Sequence, residues 1–142
     1  MRWLAKAAVQ KGIGALPQGE RLNYVFQRRV LHSLPACDGA LRQKFSRAVQ
    51  HLGAYEAHGP GAPASEATFY EFGAGWDLAI PLAYGLLGVG RQGLVDIRPS
   101  ARVELVNDSL ASYERLRGEL EGIAGRELRP AGEPISRLEE LE

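Results

Sequence analysis

Residues 69–78 read Phe69-Tyr70-Glu71-Phe72-Gly73-Ala74-Gly75-Trp76-Asp77-Leu78. An aromatic, strand-prone run carries a carboxylate near its end, and two glycines follow one residue apart. A dense apolar stretch begins directly after them. Asp96 lies twenty-one residues beyond Gly75, at the end of a second short run, Gln92-Gly93-Leu94-Val95-Asp96-Ile97. Glycines take positive φ and leave no Cβ in a ligand's way. A helix N-terminus offers free N–H groups to a carboxylate or phosphate. A carboxylate on the next strand offers two acceptor oxygens to a vicinal diol. Strand, acid, G-x-G turn, apolar helix, strand and acid together outline a site for a nucleotide-type cofactor. Two glycines alone would fit equally well a tight turn that binds nothing, and the weight lies in the full set.

The elements that must hold these residues can be read from periodicity. Residues 67–72 predict a buried strand and residues 92–97 a second. Between them, residues 77–88 predict an apolar helix with Pro81 near its start, where a missing N–H is tolerated; Gly88 and Gly90 end it. Pro99-Ser100 opens a long helix to about Ala124, with Val103, Val106, Leu110, Tyr113, Leu116 and Leu120 along one side. Residues 1–60 read as a helical N-terminal segment. Trp3, Leu4, Ala7, Ala8 and Val9 share a face of its first helix, and Pro17 to Gly19 breaks it. A second helix runs from Glu20 to about Ser33, and a third from Gly39 to about Ala57. A loop rich in glycine and proline spans His58 to Ser65.

The expected fold class is therefore α/β. A Rossmann-like parallel sheet, incomplete with two clear strands, follows a helical N-terminal segment. Residues 61–125 form the β-α-β-α unit, and 126–142 a polar, acidic tail. Parallel sheets need cover on both faces and usually more than two strands. The chain is accordingly expected to be the front part of a larger domain, completed by a downstream domain or a complementing chain.

Residues 69–110 resemble the first motifs of the Rossmann-like S-adenosylmethionine-dependent methyltransferases. Glu71-Phe72-Gly73-Ala74-Gly75 is similar to that family's E/D-x-G-x-G motif, and Val95-Asp96-Ile97 to its second motif. Lys11-Gly12-Ile13 and Leu22-Asn23-Tyr24-Val25-Phe26-Gln27 look like the helical lead-in of some bacterial members. One departure is Asp77, which stands where a third small residue is common. The resemblance implies S-adenosylmethionine as cofactor and methyl transfer to an unidentified acceptor. It implies that Gly73, Ala74 and Gly75 run beside the methionine portion. Glu71 would face the cofactor's amino group, and Asp96 would accept from both ribose hydroxyls. Phe72, Trp76, Asp77 and Ile97 complete the expected cofactor-binding set, with Asp77 equally suited to capping the helix and Trp76 to packing. No catalytic residue is assigned.

Two other functions stay open beside it. A dinucleotide-dependent oxidoreductase fits the spacing between Gly75 and Asp96, but its G-x-G-x-x-G fingerprint has Leu78 where the third glycine allows close packing. A non-catalytic interaction module would keep the fold alone.

Composition bounds the rest. The 142 residues carry equal numbers of acids and bases, but residues 1–60 hold nine Lys/Arg against three Asp/Glu, and residues 61–142 hold eight against fourteen. Arg21, Arg28, Arg29, Arg42, Lys44 and Arg47 spread around several helices, which disfavours a nucleic-acid face. Cys37 is the only cysteine, so no intrachain disulfide can form, and a reducing cytoplasm fits. His32, His51 and His58 lack metal-ligand spacing, so no metal is expected. Lys11 interrupts any N-terminal apolar run, and no stretch approaches the ~20 apolar residues that a membrane span needs.

Overall fold

The computed structural model describes residues 19–29, 34–97 and 100–132. The expected first helix, the Lys11-Gly12-Ile13 stretch, the end of the second helix, the Pro99 start signal and the tail from Glu133 lie outside the described residues. The chain divides into two compact units, Met1–Pro35 and Ala36–Glu142. In the first, α1 spans Gly19–Arg29. Tyr24 and Arg28, one turn apart on it, share a hydrogen bond.

The second unit holds α2 (Asp38–His58), β1 (Thr68–Phe72), α3 (Ala79–Leu86), β2 (Arg91–Val95), α4 (Val103–Arg115) and α5 (Arg117–Ala124). The strands pair in parallel, with Thr68 opposite Arg91 and Phe72 opposite Val95. The chain is thus α/β, with a β-α-β crossover through α3.

The core follows from the spacing of apolar residues on the helices. Leu41, Phe45, Ala48 and Leu52 fall three and four apart on α2 and are buried. Leu105, Val106, Leu110 and Tyr113 of α4 are buried in the same way, with Leu116 and Leu120 after them. Ala79, Ala83, Tyr84 and Leu86 bring α3 into the cluster. Phe69 joins the sheet to it, packing edge-on against Tyr55 of α2 and Tyr84 of α3 with ring centroids 5.1 and 5.2 Å apart. Ion pairs tie α2 to the last helices at the surface, Asp38 to Arg115 at 2.7 Å and Arg42 to Glu119 at 2.6 Å.

Three sequence expectations are corrected. The strand at 67–72 is not buried on both faces. Phe69 and Glu71 face the helices, while Tyr70 and Phe72 are 68% and 76% exposed. Successive strand side chains alternate sides, and among the described residues of the second unit only one side of this sheet has helices against it. The helix after the glycines starts at Ala79, because Leu78 takes a left-handed conformation (φ 47°, ψ 30°). The helix expected to run to Ala124 breaks at Leu116, where ψ reaches 0°. Gly118 and Gly122 weaken that stretch as helix, and Leu120 beyond the break is buried.

Candidate functional site

The two glycines leave β1 at its C-terminal end, where α/β sheets bind their ligands. Gly73 continues the ladder by donating its N–H to Val95 O at 2.8 Å. Gly73 and Gly75 hold φ of 73° and 80°, a region that residues with a Cβ rarely enter. A Cβ built on either would meet nothing within 4 Å, so the space beside the turn is open. Conformation, not crowding, calls for glycine here.

Asp96 stands immediately past β2 and faces this turn. Its Oδ2 accepts from Gly75 N–H at 3.4 Å, and its Oδ1 from Ile97 N–H at 2.7 Å. The carboxylate is exposed, and so is Ile97, at 98%. The 3.4 Å contact is at the long limit of a hydrogen bond, so a hydroxyl presented from solvent can take that oxygen at little cost. Parallel pairing produces this juxtaposition. It sets Phe72 beside Val95, and so carries the residues after each strand out at the same end.

The other expected site residues divide between the two sides. Glu71 is half-buried on the helix side, near His51 and Tyr84, whose side chains meet at 2.9 Å between Nδ1 and the hydroxyl. Burial pushes the Glu71 carboxyl above the usual range, and the neighbouring His51 partly offsets it. The same burial, with Glu71 nearby, raises the Tyr84 phenol. Phe72 lies on the opposite, open side. Trp76 is half-buried beneath Arg102, whose guanidinium carbon is 5.8 Å from the ring centroid, and Trp76 O accepts from Arg102 N–H at 3.0 Å.

Asp77 turns inward. Its side chain is buried, with Lys44 Nζ 3.1 and 3.0 Å from its two oxygens. Oδ1 also accepts from Ala79 N–H at 3.2 Å, so Asp77 secures the first turn of α3 in the manner of a cap. Tyr113 donates to Ala79 O at 2.8 Å from α4, and burial raises its phenol well above the usual range.

The structure thus gathers Gly73, Ala74, Gly75, Asp96 and Ile97 at one end of the sheet. It sets Glu71 on the helix side, and uses Asp77 to anchor the turn. Sequence reasoning missed Lys44 and Arg102. Lys44 is one of several bases on a helix, and only tertiary packing brings it to an acid 33 positions away. Arg42 and Lys44, two of the bases considered for a nucleic-acid face, are taken up by intramolecular ion pairs.

Chemically, the arrangement offers an exposed two-oxygen acceptor beside a backbone turn that a ligand can approach closely. Among the described residues no helix is long and apolar enough to cross a membrane. The chain matches no protein-family model, no curated protein and no solved structure.

Proposed function

We propose that this chain is the cofactor-binding portion of an S-adenosylmethionine-dependent methyltransferase. One relationship carries the reading. The positive-φ turn Gly73-Ala74-Gly75 lies against the exposed carboxylate of Asp96 at the C-terminal end of two parallel strands. In this reading Asp96 accepts from the ribose diol, exchanging its long contact to Gly75 for hydroxyl donors. The glycine backbone lines the methionine portion. Glu71, next to last on β1, serves the cofactor's amino group from the helix side, directly or through water.

Methyl transfer is a displacement at the sulfonium carbon. Bound here, S-adenosylmethionine would supply a sulfonium methyl group to the acceptor's nucleophile, whose bond to the methyl carbon would form as the carbon–sulfur bond breaks, with the sulfur keeping the electron pair. The cofactor supplies this chemistry, and the protein positions and desolvates the partners. The methyl acceptor is not assigned.

A nicotinamide dinucleotide fits less well. Leu78 stands where the third glycine of that fingerprint would allow close packing. Calorimetric titration of the chain with S-adenosylhomocysteine and with NAD separates the two. Saturable binding of the first alone supports methyl transfer. Binding of NAD alone replaces it with the oxidoreductase reading, and binding of neither by the folded chain leaves a fold without this cofactor.

A further inference from the structure

Within the second unit, the sheet turns one side away from the helices. The parallel register sets Thr68 beside Arg91, Tyr70 beside Gly93 and Phe72 beside Val95, and residues paired in this way share a side. Tyr70 is 68% exposed, Phe72 76% and Val95 47%, and Ile97, two residues past β2, is 98% exposed. Gly93 shapes this side. A Cβ there would stand 2.6 Å from Tyr70 Cε1 and 2.7 Å from Cδ1, so the phenol ring lies across the glycine. Glycine inside a strand weakens it and marks places where another backbone approaches closely. Here it lets the aromatic strip lie low enough for a second sheet to pack on it.

Size and charge select the occupant. With aromatic side chains of about 150–250 Å2 each, these exposures leave roughly 500 Å2 of apolar surface on the four residues. Two copies packed strip to strip bury roughly 1,000 Å2, which reaches the lower bound of specific interfaces and fits an affinity of micromolar or weaker. The middle of the strip carries no charge, and its ends differ in sign. Arg91 is exposed at the start of β2. Its guanidinium donates to Glu66 O at 3.4 Å and pairs with no carboxylate among the described residues. Asp96 is exposed just past the end of β2, and it accepts from the backbone N–H groups of Gly75 and Ile97.

An uncharged apolar strip with opposite charges at its two ends is complementary to itself. An antiparallel two-fold axis sets Arg91 of each copy toward the end of the other that holds Asp96, and the apolar residues meet between them. A parallel arrangement would bring like charges together. We infer that the open side of the sheet binds a second copy of this chain, face to face and antiparallel, through Tyr70, Phe72, Val95 and Ile97. This inference does not rest on the cofactor reading.

The test is sedimentation of the full chain without added ligand, from low micromolar to near-millimolar concentration, beside a dilution series of the isotope-labelled chain followed by amide chemical shifts. The expected result is a reversible monomer–dimer equilibrium, with concentration-dependent shifts centred on Tyr70, Phe72, Val95 and Ile97. Phe72→Ser should weaken the dimer at least about tenfold, as removal of a buried interface aromatic does. Arg91→Glu should weaken it several-fold, and Arg91→Glu combined with Asp96→Arg should restore the parental affinity. Phe72, Arg91 and Asp96 are all exposed, so each variant should keep the parent's unfolding temperature at low concentration, which separates loss of the dimer from loss of the fold. A chain that stays monomeric at every concentration, shifts centred elsewhere, open-ended polymerisation, an affinity unmoved by Phe72→Ser, or a charge exchange that fails to restore it would each overturn the inference.

Discussion

Lys44 of α2 holds both carboxylate oxygens of Asp77, at 3.1 and 3.0 Å, two residues beyond the glycine turn. The pair fixes where the chain leaves that turn and enters α3. The Asp77 side chain is 6% exposed, whereas that of Lys44 keeps 35% of its surface in water. Removing the lysine leaves a buried carboxylate without its counterion. Lys44→Met should cost about 2 kcal/mol, less than a fully buried pair because the lysine is partly solvated. Lys44→Met with Asp77→Asn should cost less than the sum of the two single changes. Urea unfolding of the four proteins measures this coupling, and additive costs would show that the pair does not anchor the turn.

Alanine substitutions at two glycines should have opposite signs. Gly53 lies within α2, and Gly75 at φ 80°, and a Cβ on either meets nothing within 4 Å. Gly53→Ala should stabilise the chain by about 0.5–1 kcal/mol through helix propensity. Gly75→Ala should destabilise it by about 1 kcal/mol, because alanine resists positive φ. Thermal unfolding of both variants checks the contrast.

Phe72 is 76% exposed and Tyr70 68%. Phe72→Ser should therefore change stability by no more than about 0.5 kcal/mol, as surface substitutions do, while it reduces self-association. Sedimentation over a range of concentrations, together with thermal unfolding, measures both effects. A large loss of stability would mean that this side of the sheet is covered.

Burial makes Glu71 a weaker acid in the folded chain, with His51 a partial offset. A carboxyl whose pKa rises on folding contributes stability while it is protonated. That contribution is lost as pH rises from the ordinary carboxylate range through the raised value. Glu71→Gln should then be more stable than the parent at neutral pH, by roughly a few tenths of a kcal/mol after solvent screening. The difference should vanish below the ordinary carboxylate range. Urea midpoints of the two proteins across pH report it, and a constant difference would contradict this origin.

Local patterns carried much of the fold. The spacing of Leu41, Phe45 and Leu52 predicted α2, and the two β-prone runs predicted both strands and, with a helix between them, their parallel pairing. The G-x-G spacing and Asp96 were readable because sheet topology brings strand ends together whatever lies between. Long-range contacts were less legible. Nothing around Lys44 signals its partner, and no pattern in Leu78 announces a left-handed backbone. The exposure of Phe72 depends on what packs against the sheet, which the run Phe69-Tyr70-Glu71-Phe72 does not encode. The break at Leu116 lies inside an unbroken apolar stripe, where periodicity alone reads one helix.

The most direct test of the central claim is calorimetric titration of the parent chain and Asp96→Ala with S-adenosylhomocysteine. The account predicts one saturable site in the parent. Asp96→Ala should leave the unfolding temperature nearly unchanged, since the side chain is exposed, and weaken binding by about 1–3 kcal/mol, the range for a lost charged hydrogen bond. A folded parent that does not bind, or an affinity indifferent to Asp96, would contradict the assignment of this turn and carboxylate as the cofactor site.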